Sequence, residues 1–124
     1  VHALAYPLGG NYHIPHGLTN SLVLPHVLRF NMDEASKLYS ELAHVILYDY
    51  EVPNDEKQAS EILVSYLADL PKRLGLQTTL REMNIPFEDL PKLAEEAMLQ
   101  QRLLINNPRE LNVENALEIY KQAY

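Results

Sequence analysis

From Ala35 to Tyr120 the apolar side chains of this chain recur three and four positions apart, and no stretch alternates with β-branched enrichment. That period belongs to helices that bury one face, and it leaves no segment that reads as a strand. Asp33 reads as an N-cap, after which Ala35, Leu38, Tyr39, Leu42, Val45 and Ile46 line one face of a helix of about four turns. Pro53 and Asn54 break it. Ala59, Ile62, Leu63, Tyr66, Leu67, Leu70 and Leu74 form the clearest stripe, ending at Gly75, with Pro71 expected to kink or shorten its last turn. A short helical turn is expected over Thr79–Met83, closed by Asn84. Pro86 then suits the first turn of a helix carrying Leu90, Leu93, Ala94, Ala97 and Met98, whose start Pro91 blurs. Asn106-Asn107-Pro108 is a turn, and Asn112 caps a final helix with Val113, Ala116, Leu117 and Tyr120 on one face.

The first 25 residues differ from the rest. They hold Gly9, Gly10 and Gly17 of the four glycines, and Pro7, Pro15 and Pro25 of the eight prolines. An irregular loop is expected there, with helices before and after it. The fold class that results is all-α, a bundle of five to six helices with short connections. At 124 residues the chain can bury a single core.

Charge and composition narrow the function. The formal net charge is −7 and no basic patch or stripe is visible, which argues against nucleic acid as a partner. No apolar run is long enough to span a bilayer. With no cysteine, thiolate catalysis, disulfides and cysteine metal sites are excluded. No signal peptide opens the sequence, so the cytoplasm is the expected compartment. The chain enters a periodic segment directly at Val1-His2-Ala3, with neither an initiator methionine nor a capping signal, and so reads as one cut within a domain.

Four of the five histidines (His2, His13, His16 and His26) lie in the first 26 residues. Neutral imidazole is a common metal ligand, and His13-x-x-His16 could share a helical face. On spacing alone, solvated or hydrogen-bonded histidines remain the better reading.

The order of residues around them says more. His2-Ala3-Leu4-Ala5-Tyr6-Pro7-Leu8-Gly9-Gly10, then Pro15-His16-Gly17-Leu18-Thr19-Asn20, Leu24-Pro25 and Phe30-Asn31, closely resembles the long signature of the iron-containing alcohol dehydrogenases. The match covers about a quarter of the chain. The helical remainder is compatible with the family's C-terminal domain without carrying a comparably specific motif.

The resemblance implies an enzyme with an N-terminal α/β domain that binds NAD(P) and a helical C-terminal domain. A divalent metal lies in the cleft between them, held by an upstream aspartate, an upstream histidine and two signature histidines. Carried over by position, those two fall on His2 and His16. The metal would act as a Lewis acid on an alcohol or aldehyde substrate. Imidazole suits iron and zinc alike.

Two departures from the family pattern matter. Its usual second histidine, credited with relaying a proton, is Tyr6 here. A phenol can donate and accept a hydrogen bond but ordinarily titrates near pH ~10, a poor match for proton shuttling at neutral pH. Tyr6 is therefore a candidate catalytic residue, with packing or pocket lining as the competing role. The upstream aspartate, upstream histidine and nucleotide-binding glycines have no counterpart in these residues, which implies weak metal binding and no catalysis by the chain alone.

Other candidates have lesser roles. His13 is a candidate pocket residue, His26 a structural one, and His44 is expected at the edge of the core. Asn20 is expected to fix backbone geometry, and Glu82, Glu88, Asp89, Glu95 and Glu96 to form a solvated face. The leading reading is the C-terminal, metal-binding domain (residues 1–124) of a metal-dependent, NAD(P)-linked alcohol dehydrogenase, partnered by the N-terminal nucleotide-binding domain, with a homo-oligomer left open. A non-catalytic helical interaction module of the same ancestry is the rival, and a reductase of other carbonyl compounds is a third reading. The enzyme reading further expects exposed apolar surface on the face bearing His2 and His16.

Overall fold

The computed structural model describes every residue from Val1 to Tyr124, and it is all-helical. In chain order the elements are α1 (His2–Tyr12), α2 (His16–Ile46), α3 (Glu56–Arg73), a single 3-10 turn (Phe87–Asp89), α4 (Leu90–Met98), α5 (Gln101–Leu104) and α6 (Val113–Gln122). No helix is long and apolar enough to cross a membrane.

Two of the ends are set by side chains that the sequence singles out. The Asn112 side chain accepts from Asn115 N–H while the Asn115 side chain accepts from Asn112 N–H, so α6 opens on a reciprocal cap. At the C-terminal end of α3, Pro71 lies within the helix, which runs two residues further. Its carbonyl accepts from Leu76 N–H, Lys72 accepts from Gly75, and Gly75 takes φ +74°. Pro71 thus supplies an acceptor to the closing motif, and Gly75 the left-handed residue that motif needs.

α2 departs most from the sequence expectation. Asp33 does not cap a helix; it lies exposed in the middle of one that begins at His16 and runs for 31 residues. The expected Gly/Pro loop also contracts. Pro7, Gly9 and Gly10 lie within α1, Gly17 and Pro25 within α2, and only residues 13–15 are irregular. Pro7 and Pro25 are buried, so packing offsets the backbone hydrogen bond each forfeits.

Two cores result. The larger, of 18 buried residues, gathers Leu4 and Leu8 of α1, Leu22, Val23 and Val27 of α2, Leu90 and Leu93 of α4, and Ile119 and Tyr120 of α6. Each fully buried Leu, Ile or Val side chain there contributes about 1.5–3 kcal/mol. The smaller, of six residues, lies between the distal half of α2 and α3: Ala35, Tyr39, Ala43, Ala59, Leu63 and Val64. Three alanines share that seam with Tyr39, Leu63 and Val64, and Ser60 Oγ crosses it to donate to the Ser36 carbonyl at 2.9 Å. Leu38, Leu42 and Val45, expected on the buried stripe, instead lie outside it at 62%, 47% and 72% exposure.

Candidate metal centre

α1 and α2 each begin on a histidine. His2 is the first residue of α1 and Tyr6 follows four positions later, on the same helical face. The link through residues 13–15 doubles back along α1, passing Gly9, whose absent Cβ would lie 3.6 Å from the Ile14 carbonyl oxygen. His13 starts that reversal. It takes φ +55° and donates its N–H to the Gly9 carbonyl, closing α1. His16 is thereby brought beside the first turns of α1.

Three rings meet there. His2 and His16 have centroids 5.2 Å apart at an interplanar angle of 54°. Tyr6 stacks on His16 at 5.6 Å and 15°, and meets His2 edge-on at 6.2 Å. His2, Tyr6 and His16 are all exposed, so the cluster faces solvent.

The support behind the rings is buried. Tyr120 Oη donates to the Leu4 carbonyl at 2.6 Å, tying α6 to the turn of α1 between His2 and Tyr6. Burial, with the nearby Glu96 charge second, holds the Tyr120 phenol well above its ordinary pKa, so it stays a donor. Thr19, fully buried, donates to the His16 carbonyl at 2.8 Å.

Asn20 does not fix the backbone, as the sequence suggested; it reaches the ring. Its Nδ2 lies 3.2 Å from His16 Nε2. Its Oδ1 is the one buried side-chain polar atom with no partner, an acceptor left for a donor that the chain itself does not supply. Two converging imidazoles suit a divalent metal, which would displace the Asn20 amide N–H if it bound His16 through Nε2. The set is incomplete, because no third His, Cys, Asp or Glu joins them. The residues fit two positions of a metal's ligand shell, and further ligands must come from beyond these residues.

Two hollows flank His2. One, of about 220 Å³, lies toward α5 and α6 and is lined by Leu103, Leu104 and Asn107. The other, of about 500 Å³, lies toward the end of α3 and includes Gly17, Asn20, Leu70 and Leu74. The expected apolar exposure on the histidine face is present in that second hollow, where Leu74 is 67% and Leu76 44% exposed.

The remaining candidates do not join the site. His13 lines neither hollow. His26 is half-buried, its pKa lowered by burial first and the Arg29 charge second. His44 is exposed and not at the core's edge, its Nδ1 2.8 Å from the Ser40 carbonyl. Of the acidic face, Glu82, Glu88 and Glu95 are solvated, but Asp89 accepts from Tyr12 Oη at 2.5 Å and Glu96 from Asn11 Nδ2 at 2.6 Å.

Sequence reasoning missed one polar contact altogether. Asn31 and Asn107 exchange amide hydrogen bonds at 2.8 and 2.7 Å, 76 positions apart. Arg109 reinforces the join, lying 4.0 Å over the Phe30 ring and donating to the Phe30 carbonyl. The signal was visible as Phe30-Asn31 in the signature and Asn106-Asn107-Pro108 in the turn, but nothing in the sequence pairs them. The pair pins the segment that carries one hollow's wall to the helix that carries His16.

The whole chain, residues 1–124, matches the Fe-containing alcohol dehydrogenase family, C-terminal. Lactaldehyde reductase of Escherichia coli is 36% identical over 124 residues, and 1,3-propanediol dehydrogenase of Citrobacter freundii is 32% identical. In both cases all of this chain is aligned, with 32% of the relative. The crystal structure of 1,3-propanediol oxidoreductase superposes with a TM-score of 0.90 at 31% identity, over 99% of this chain and 32% of that one. The chain belongs to the iron-containing alcohol dehydrogenase family and corresponds to its C-terminal domain. It spans about a third of the length of these relatives.

Proposed function

We propose that the chain is the metal-binding helical part of a metal-dependent, NAD(P)-linked alcohol dehydrogenase, which interconverts alcohols with aldehydes or ketones, and that it is inactive by itself. The convergence of His2 and His16, 5.2 Å between ring centroids from the first residues of two helices, carries this reading. Family membership supports it, and the relatives' names point to an alcohol or aldehyde as substrate. The other ligands and an N-terminal nucleotide-binding domain belong to the part of the relatives that this chain does not span. The cytoplasm is the proposed compartment.

A divalent metal, iron or zinc, would be held by His2 and His16 and would supply Lewis acidity there, and NAD(P), bound outside this chain, would serve as the hydride carrier. The chain's own residues do the positioning. His2 and His16 offer imidazole nitrogens from two helices; Tyr120 ties α6 to the turn of α1 behind His2, and Thr19 bonds the His16 carbonyl within α2. Asn20 meets the His16 ring at Nε2. Tyr6, stacked on His16, either lines the pocket or exchanges a hydrogen bond with a substrate oxygen there.

The test joins the chain to a relative's upstream portion and measures bound metal by elemental analysis and NAD(P) reduction with alcohol. Metal and activity are expected, and His2→Ala or His16→Ala should each abolish both. Full metal and activity in both variants would sink the assignment. The rival, a helical interaction module of the same ancestry, would bind a partner along the face that bears His2 and His16, where Leu74 and Leu76 are exposed. It predicts that the joined protein stays without activity when both parts are folded.

A further inference from the structure

His2 and His16 are exposed, so no core packing holds their rings. The backbone beneath each is restrained, by Tyr120 on the Leu4 carbonyl and by Thr19 on the carbonyl of His16. The imidazoles beyond it are not, because rotation about the bond to the ring meets only a broad preference. A ligand whose ring turns freely must be ordered when it binds, and that ordering weakens binding. What sets the ring planes has to come from neighbouring side chains.

Asn20 and Tyr6 both meet the His16 ring. Asn20 does so at one atom, Nε2, and would be displaced by a metal bound through that nitrogen. Tyr6 lies against the face of the ring, with centroids 5.6 Å apart and planes within 15°. A contact through the face leaves the in-plane lone pairs free, whichever ring nitrogen binds. Tyr6 also stands edge-on to His2, one turn further along α1, at 6.2 Å and 68°. One side chain thus meets both imidazoles and bridges α1 to the start of α2. Tyr12 and Tyr120 are anchored in the chain by their hydroxyls, on Asp89 and on the Leu4 carbonyl, whereas Tyr6 is held by its ring.

Resting on the proposed metal-binding reading, we infer that Tyr6 is a positioning residue, and that the face of its ring, not its hydroxyl, keeps the His16 imidazole in register with that of His2 so that both serve one metal ion. Tyr6 is 40% exposed and belongs to neither core, so replacing it tests the ring contact without threatening the fold.

The test is NMR of the histidine ring protons in the 124-residue chain, beside Tyr6→Phe and Tyr6→Leu. Before metal is added, the ring current of residue 6 should displace the His16 signals in the parent and in Tyr6→Phe, and the displacement should vanish in Tyr6→Leu. Titration with Zn²⁺ alone should then move the His2 and His16 signals together. Tyr6→Leu should bind Zn²⁺ about three- to tenfold more weakly, the worth of one aromatic pair, and Tyr6→Phe as tightly as the parent. All three should share one melting temperature, so that the loss reports lost register and not a loosened fold.

Parental Zn²⁺ affinity in Tyr6→Leu overturns the positioning role and leaves the metal reading standing. Equal loss in Tyr6→Phe also overturns it, because the hydroxyl would then be the group that matters. A parent chain whose His2 and His16 signals ignore Zn²⁺ ends the metal reading and the inference with it.

Discussion

The two ends of α2 are packed in opposite ways. Its first half enters the larger core, among leucines, alanines, Ile119 and Tyr120 from three other helices. Its second half meets one partner, α3, across a smaller seam of Ala35, Tyr39, Ala43, Ala59, Leu63 and Val64, and leaves Leu38, Leu42 and Val45 facing water. The histidines sit on the well-packed end. A site that must hold two rings in register from two helices depends on backbones that do not drift. The hairpin at the far end carries no such demand, and its packing fixes only the crossing of two helices.

That contrast is breakable. Leu93→Ala, in the larger core, should cost about 2–5 kcal/mol and lower the melting temperature of the whole chain. Leu63→Ala, in the hairpin, should be felt first within α3, as faster amide hydrogen exchange over residues 56–73 with α1, α4 and α6 still protected. Equal loss of protection in both regions would show that the two cores unfold as one.

Next in size, Asn107→Ala strands the buried Asn31 amide and should cost about 1–3 kcal/mol in chemical denaturation. A neutral result would mean that the reciprocal pair adds nothing to what Arg109 and Phe30 already provide. Removing the helix caps sharpens the comparison at a smaller scale. Asn112→Ala and Asp55→Ala should each cost about 1 kcal/mol, the first globally and the second within α3 alone.

The smallest effect is a pH dependence. Folding lowers the His26 pKa from its ordinary 6.5, so the unfolded chain binds that proton more readily. The associated stability is complete above that pH and declines as the pH falls through it. His26→Gln should flatten the decline in melting temperature on acidification. An unchanged profile would move the effect to another group.

How far the sequence could be read follows the same division. α3 and α6 were legible because their stripes agree with the ends the sequence marks: Asn112 sits where α6 starts and Gly75 where α3 closes, while the Asp55 cap of α3 went unread. α2 was misread because two local signals pointed the wrong way. Asp33 has the chemistry of a cap, yet it is only an exposed residue beyond Thr19, Val23, Val27 and Asn31, a buried run at four-residue spacing that carries the helix straight through. The leucines after it suggested a buried stripe, but close approach of α2 and α3 selects Ala35, Ser40, Ala43, Ala59 and Ser60, and size alone does not announce that.

The signature quoted His2, Tyr6 and His16 in order, and the structure brings all three rings together. It could not show that Asn20 addresses the ring, or that Asn31 looks across to Asn107. Those are contacts between side chains whose spacing in sequence carries no period, and only the packed helices define them.

At 1.5 Å per residue α2 is about 46 Å long, with His16 at one tip and Ile46 at the other. It is a lever as well as a scaffold. A tilt of about 5° at the His16 end displaces the far tip by about 4 Å. Pro25, which has no N–H to return to Ser21, removes one rung of the ladder just past the histidine cluster and marks where such a rod would bend.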